Sequence, residues 1–543
     1  LAADVAVSYA RGTFNVAPTM AGAITLSAVT GTGTTVIIPA LVWPAAATVN
    51  TFTVNRAANT QIPGNRTVQN QVSLVAGLLD LDANAFDLTV ANPTLTITAG
   101  TVEGDGVGDL VFTNPPDVTF NVNANYNTQG GNDVLANAAT LASMTVTRSA
   151  NGANAILTLS GSHTVTGALS VLNNLTIAAT LTLQGAFTVT TDTGNFALAT
   201  APVFAGVGTL VMNGAVAQTI PAIAAPGLGN ITINNAAGVS TLGAVTIGAG
   251  GAGGALTMTS GNLTLGGNLT VSDGPVNSTA ANDATNGLIT LTSGRIITGA
   301  TFVVILDHEN TGQQGFARGL GATGCVDGAV RKLFDVVNGA GNGGVPDRMV
   351  FPVCDSSGNY RPASLTFTAP NTLTQGNWVQ VRYQDGLPGG ANGMPFAATD
   401  GTSTAYQVAR YAPFSWFVQS SVQEQAGVLY DVELRAAGYS LFNGENIERV
   451  RNIRRLAGLS TNFWQIIAAS ATGNDNYAVS LTEPVSISRN ALGLLIPGGT
   501  SGTEGTIFTM GLESNMTATD PAAVAVNAGS TVDVNLANVF AQG

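Results

Sequence analysis

Between residues 157 and 189 apolar and polar positions alternate on a fixed beat. Leu157-Thr-Leu159, His163-Thr-Val165, Leu169-Ser-Val171, Leu175-Thr-Ile177, Leu181-Thr-Leu183 and Phe187-Thr-Val189 begin at steps of six. Leu256-Thr-Met258, Leu263-Thr-Leu265 and Leu269-Thr-Val271 follow at steps of seven and six, and Leu88-Thr-Val90 and Leu95-Thr-Ile97 fit the same mould. Apolar–Thr–apolar predicts a short strand, because successive side chains point to opposite faces. The aliphatic residues go inward and the β-branched Thr suits the outer pleat. Gly, Asn, Ser and Ala lie between the triplets, where the chain must turn at low steric cost.

A three-residue strand cannot bury its apolar face alone. Stacked on copies of itself it joins a continuous parallel sheet, and a short β repeat is the sequence mark of that arrangement. Three strands per round predict a coil of roughly 18–21 residues, a parallel β-helix, over residues 1–316. The usual hand of β crossovers favours a right-handed coil, while a strict hexad also suits a left-handed one. Asn before the aliphatic residue, as in Asn174, Asn230, Asn262 and Asn268, is expected to stack into a hydrogen-bonded ladder. A string of antiparallel sandwiches is the competing reading of short alternating strands.

The pattern changes after residue 316. Runs such as "ASLTFTA" (363–369) and "NWVQVRYQ" (377–384) predict longer antiparallel strands, and hence a β-sandwich over 317–510. Residues 511–543 form a tail whose "STVDVNLANVF" (530–540) is a candidate donor strand. Composition shifts at the same place: residues 1–316 carry five Arg and no Lys, the rest twelve Arg and the single Lys332. The charged stretch "NGENIERVRNIRRLAG" (443–458) is expected to be a solvated edge.

Charge narrows the function. The net charge is −13 with only 9% charged residues, which argues against nucleic acid, whose phosphates demand basic clusters. No apolar run approaches the ~20 residues of a membrane-spanning helix. Cys325 and Cys354 are the only cysteines. If "CVDGAVRKLF" and "RMVFPVC" are the arms of a hairpin turning in the Gly-rich stretch 338–344, the thiols face each other and form a disulfide. Two free buried thiols are the alternative. A bridge suits an oxidising, extracellular setting, as does a first residue, Leu1, other than Met, which fits a processed export product.

Candidate chemistry is sparse. Arg11, Arg56, Arg66, Arg148 and Arg295 fall in different repeats, away from the paired carboxylates or Ca²⁺ cluster that polysaccharide cleavage needs. Glu103-Gly-Asp105-Gly-Val-Gly-Asp109 reads as a Gly/Asp turn or a loose Ca²⁺ site. Asp307-His308-Glu309 and His163 hold the only two histidines, too few for a metal centre without further ligands. No catalytic residue, cofactor site or metal site is therefore assigned. Asn65-Arg-Thr67, Asn277-Ser-Thr279 and Asn515-Met-Thr517 are glycosylation sequons.

Stretches such as "GLLDLDANAFDLTV", "GTLVMNGAVAQTI" and "GNITINNAAGVSTLGAVTI", followed by "GCVDGAVRKLF…FPVCDSSGNYRPASLTFT", "PFSWFVQ" and "NFWQIIAAS", resemble secreted surface proteins of the Bacteroidota type, with β-helical repeats followed by a β-sandwich region. The resemblance covers roughly residues 70–500 and implies an exported cell-surface protein with no catalytic residues; the C-terminal sorting domain of that type is not recognisable here. The expected function is non-catalytic: a subunit of a fibre, sheath or layer, a homo-polymer joined end to end or by strand complementation through "ADVAVSYARGTFNV" (3–16) or residues 530–540. The alternatives are an adhesin that binds surface glycans on Trp378, Tyr383 or Trp416, and a β-helical polysaccharide-degrading enzyme.

Overall fold

The computed structural model describes residues 6–10, 24–29, 36–47, 49–81, 85–103, 110–122, 125–128, 135, 139–148, 156–172, 174–189, 204–205, 208–248, 253–272, 287–307, 315–319, 321–333, 347–368, 378–386, 396–399, 405–421, 429–435, 450–456, 465–466, 476–478, 486–489 and 505–514. Among them the chain is all β, without a helix. It divides into two compact units, Leu1–Ala252 and Gly253–Gly543.

In the first unit every described strand pair is parallel. Ala6–Tyr9, Ile24–Val29, Val49–Asn55, Arg66–Ala76, Thr94–Ile97, Asp117–Val122, Ser143–Arg148, Leu169–Val171 and Phe187–Val189 follow one another in a single sheet. Up to residue 103 the short strands between them, Val36–Ile37, Thr60–Gln61, Leu78–Asp80 and Thr101–Glu103, make a second parallel sheet. From Asp117 to residue 189 the parallel pairing goes by threes, each strand beside the third one before or after it. Leu157 lies beside Leu175, His163 beside Leu181 and Leu169 beside Phe187, a spacing of 18 residues that Ser170 and Thr188 share as a hydroxyl–hydroxyl contact of 3.2 Å.

This register turns the sequence alternation into columns. Leu26, Phe52, Val72, Leu95, Val118, Met144, Leu169 and Phe187 are successive partners, all buried. Each aliphatic side chain withdrawn from water contributes roughly 1.5–3 kcal/mol, so the column is held by its neighbours above and below. The intervening Thr residues pair in the same way on the half-exposed face, Thr158 with Thr176 and Thr164 with Thr182. Turns must stack as closely as strands. A Cβ on Gly185 would stand 1.8 Å from the carbonyl oxygen of Gly167, eighteen residues earlier, so only Gly fits there.

The repeat length is not constant. It rises from 18 residues to 33 and 35 in the second unit, where Arg295 N–H donates to Asn262 Oδ1 and Val303 N–H to Asn268 Oδ1. Those contacts revise the expected asparagine ladder. Asn262 and Asn268 accept from the backbone of the next layer, whereas amide-to-amide contacts link Asn50, Asn70 and Asn92, which lie outside the Asn-Leu-Thr phrase.

Parallel pairing in the second unit runs past residue 316. Arg295–Ile297 pairs with Cys325–Asp327, and Val303–Asp307 with Ala329–Leu333. The next partner of Ala329–Leu333 is Trp378–Asp385, and it is antiparallel. The antiparallel sheet continues through Phe414–Ser420, Thr506–Ser514, Ala405–Tyr411 and Phe396–Thr399. A second antiparallel sheet orders Asp347–Phe351, Ala363–Thr368, Leu429–Arg435, Ser486–Arg489 and Asn476–Ala478. One expectation changes here. Val450–Leu456, from the charged stretch, pairs with Thr506–Ser514 on one side and, at Ile453 and Arg454, with Gln465–Ile466 on the other. It is no free edge along those residues, and its Ile453 is fully buried.

Candidate functional site

A polar concave site forms where parallel pairing gives way to antiparallel pairing, wholly inside the second unit. Cys325 N–H donates to Gly294 O, and on the far edge of its strand Val326 bridges Val353 in parallel. Cys325 and Cys354 are joined in a disulfide with their Cα atoms 5.8 Å apart. The geometry around it differs from the expected hairpin. Ala329–Leu333 already has Val303–Asp307 on one side and Trp378–Asp385 on the other, so it has no edge left for Asp347–Phe351, which pairs with Ala363–Thr368 instead. The turn of that expected hairpin, 338–344, lies outside the described residues.

Residues 354–361 are shaped by one carboxylate. Asp355 Oδ1 accepts from the N–H groups of Ser357 (3.0 Å) and Asn359 (2.7 Å), and its Oδ2 accepts from Asn359 Nδ2 at 2.7 Å. Aspartate holding the backbone of the residues that follow it is the usual chemistry of a tight turn. Arg361 Nη2 lies 3.4 Å from the same carboxylate, and the guanidinium stands 5.6 Å from the Phe414 ring centroid.

Beside this turn lies a pocket of about 410 Å³, lined by Asp327, Ser356, Arg382, Gln384, Asp385 and Ser415. Strand alternation supplies its wall. Val379, Val381 and Tyr383 are buried, which leaves Arg382 and Gln384 on the other face of the same strand. Cys354 and Tyr383 also border the space. Asp327 Oδ2 accepts from Arg295 Nη1 at 3.1 Å, and Arg295 also donates to Ser356 O. Asp385 Oδ2 accepts from Ser356 N–H (3.2 Å) and from its hydroxyl (2.8 Å). Burial pushes the Asp327 carboxyl above the ordinary aspartate range; Asp385 and Asp355 add to that shift, while Arg295 and Arg382 oppose it. The Tyr383 phenol is raised mainly by burial.

The residues singled out from sequence fall elsewhere. His163 is buried in the first unit, in the column between Ala139 and Leu181, with no hydrogen-bond partner on either ring nitrogen. Burial holds its pKa down at about 4, so the ring is neutral and apolar in role. His308, Glu309 and residues 104–109 lie outside the described residues. Arg56 and Arg66 are buried, and Arg66 Nε donates to Trp43 O at 2.9 Å. The aromatic platforms are covered: Trp416 is fully buried, donates from Nε1 to Arg361 O at 2.7 Å, and meets Phe414 and Tyr383 edge-on. Arg331 lies 4.0 Å over the half-buried Trp378 ring.

Sequence reasoning missed the pocket, whose residues come from four separated segments. It also missed Lys332, which is buried with its ammonium 5.3 and 5.6 Å from the Phe316 and Phe351 rings and its pKa lowered by burial to about 7. The alternation of Val330, Arg331 and Lys332 with their neighbours was the available signal, since it puts Lys332 on the inner face. Among the described residues no three His, Cys, Asp or Glu side chains group to hold a metal ion, and no helix is long and apolar enough to cross a membrane. No protein-family model, no curated protein and no solved structure matches the chain.

Proposed function

We propose that this chain is a non-catalytic, exported structural protein, one subunit of a surface fibre, sheath or layer. On this reading the parallel sheets within each unit are faces of β-helical coils, and the two antiparallel sheets of the second unit form a β-sandwich. The observation that carries the reading is the recurrent parallel pairing of a strand with the third strand after it, as from Asp117–Val122 to Phe187–Val189 and from Ala139–Leu141 to Asn230–Asn234. The stability of such a stack grows by adding like layers. The stack also has ends, and an open strand edge invites another chain.

The edges differ. At the last parallel layer Cys325–Asp327 meets Val353, and Ala329–Leu333 meets Trp378–Asp385. At the first layer Ala6–Tyr9 has a partner on one side only among the described residues, Ile24–Val29. A strand supplied by a second copy fits that position, and the candidate donor is 530–540. Extracellular placement and the likeness to Bacteroidota-type surface proteins belong to the same proposal, supported by the disulfide and by the low charge. Negative-stain microscopy across a concentration series tests it. Filaments that vanish when 530–543 is removed are the expected result; single particles at every concentration would overturn it.

A further inference from the structure

We propose that the pocket walled by Asp327, Arg382, Gln384 and Asp385 is a binding site for a neutral, hydroxyl-rich ligand, a mono- or disaccharide unit of a glycan. The proposal does not rest on the scaffold reading and would survive its failure. The volume of about 410 Å³ lies within the roughly 300–1,000 Å³ of small-molecule sites, and the lining chemistry then selects among ligands.

An apolar ligand finds no apolar wall, because the side chains facing the space are carboxylates, a guanidinium, an amide and hydroxyls. An anion meets two carboxylates, Asp327 and Asp385; Arg295 pairs with Asp327 and Arg382 is the one cation lining the wall, which leaves no positive excess to hold it. A metal ion lacks a converging set of ligands among the described residues. A sugar hydroxyl both donates and accepts, so it can bridge a carboxylate oxygen and a guanidinium N–H side by side, as this wall offers.

The groups also have capacity to spare. Asp327 and Asp385 each accept on Oδ2, from Arg295 and Ser356 respectively. Arg382 Nη1 reaches Ala300 O at the long distance of 3.4 Å, so that donor can turn to a ligand oxygen. The wall is held in place before anything binds. Arg295 fixes Asp327, Ser356 fixes Asp385, and the Cys325–Cys354 disulfide ties the two strands beneath them. Preorganisation of this kind lowers the entropy lost on binding. Of the aromatic side chains proposed from sequence as sugar platforms, Trp416 is fully buried and takes no part, and the buried Tyr383 only borders the space.

The test is saturation-transfer NMR and calorimetry on the full chain with a panel of neutral mono- and disaccharides. Asp385→Asn and Gln384→Ala serve as variants; both positions are exposed at the pocket mouth, and an unchanged melting temperature shows that the fold is kept. At least one saccharide should bind, each variant should weaken it by about tenfold or more, and rising salt should leave affinity nearly unchanged, as for an uncharged ligand. Absence of binding across the panel would overturn the proposal. So would binding indifferent to both variants, or saturable uptake of Ca²⁺ or an alkylamine with no saccharide response.

Discussion

The two kinds of strand pairing in this chain solve one problem, hiding apolar side chains, with different information. In the parallel region the partner of Leu169 is Phe187, and that of Leu157 is Leu175, residues in like positions of the next repeat. In the antiparallel region Val381 lies beside both Val330 and Val418, and Trp416 beside Tyr383 and Phe508, partners that share no local phrase. The first region is specified by period, the second by particular long-range contacts. A fault in the first should therefore pass from layer to layer, while a fault in the second should stay where it is made.

Gly185→Ala should sharpen that contrast most. The new methyl collides with the backbone of Gly167, so two stacked turns must separate, at a cost above about 4 kcal/mol, the range in which single changes are exceptional. Gly319→Ala has nothing within 4 Å and should be silent. Thermal melts of both variants check this; equal effects would break the distinction between stacked and open turns.

Removing the disulfide with Cys325→Ala/Cys354→Ala should cost roughly 3–4 kcal/mol for a closed loop of this size. Hydrogen exchange should place the loss in the second unit, leaving the Leu157–Phe187 layers protected. Loosening of those layers instead would show that the two units are not separate in stability.

His163 gives a pH test confined to the first unit. Its folded pKa of about 4 lies below the ordinary 6.5, so between these values the unfolded chain binds a proton that the folded chain refuses. Stability is full above pH 6.5 and falls as pH drops toward 4, by about 3 kcal/mol from this ring. His163→Leu, matching Leu181 above it, should remove that slope and leave the melting temperature at pH 7 equal or higher. The smallest effect expected is from Asn268→Ala, which strips one acceptor from Val303 N–H and should cost about 1 kcal/mol.

How much was legible follows from the same contrast. Every triplet of the six-residue beat lies in a strand, and those from Leu157 to Leu183 have both outer residues buried and the middle residue half-exposed, as in Leu169–Val171 and Leu181–Leu183, because period-two alternation and turn residues are local signals. Even His163 was readable, since it occupies a column position that Leu fills elsewhere. The longer repeats of the second unit were not, because residues added between strands leave the beat of the triplets unchanged. The hairpin expected about 338–344 failed because a strand's partner depends on which edges are already taken, and Val303–Asp307 and Trp378–Asp385 had taken both. The pocket was invisible for the same reason: Asp327, Ser356, Asp385 and Ser415 meet only once four segments are in place.

Cysteine pairs on the outer face offer the most direct test of parallel stacking by threes. Thr164 and Thr182 are register partners in adjacent layers, so a chain carrying Thr164→Cys and Thr182→Cys should close an internal disulfide under mild oxidation, whereas Thr164→Cys with Ser170→Cys should not. Ready bridging of 164 to 170 and none of 164 to 182 would mean that consecutive strands pair with each other, and the stacked architecture argued here would be wrong.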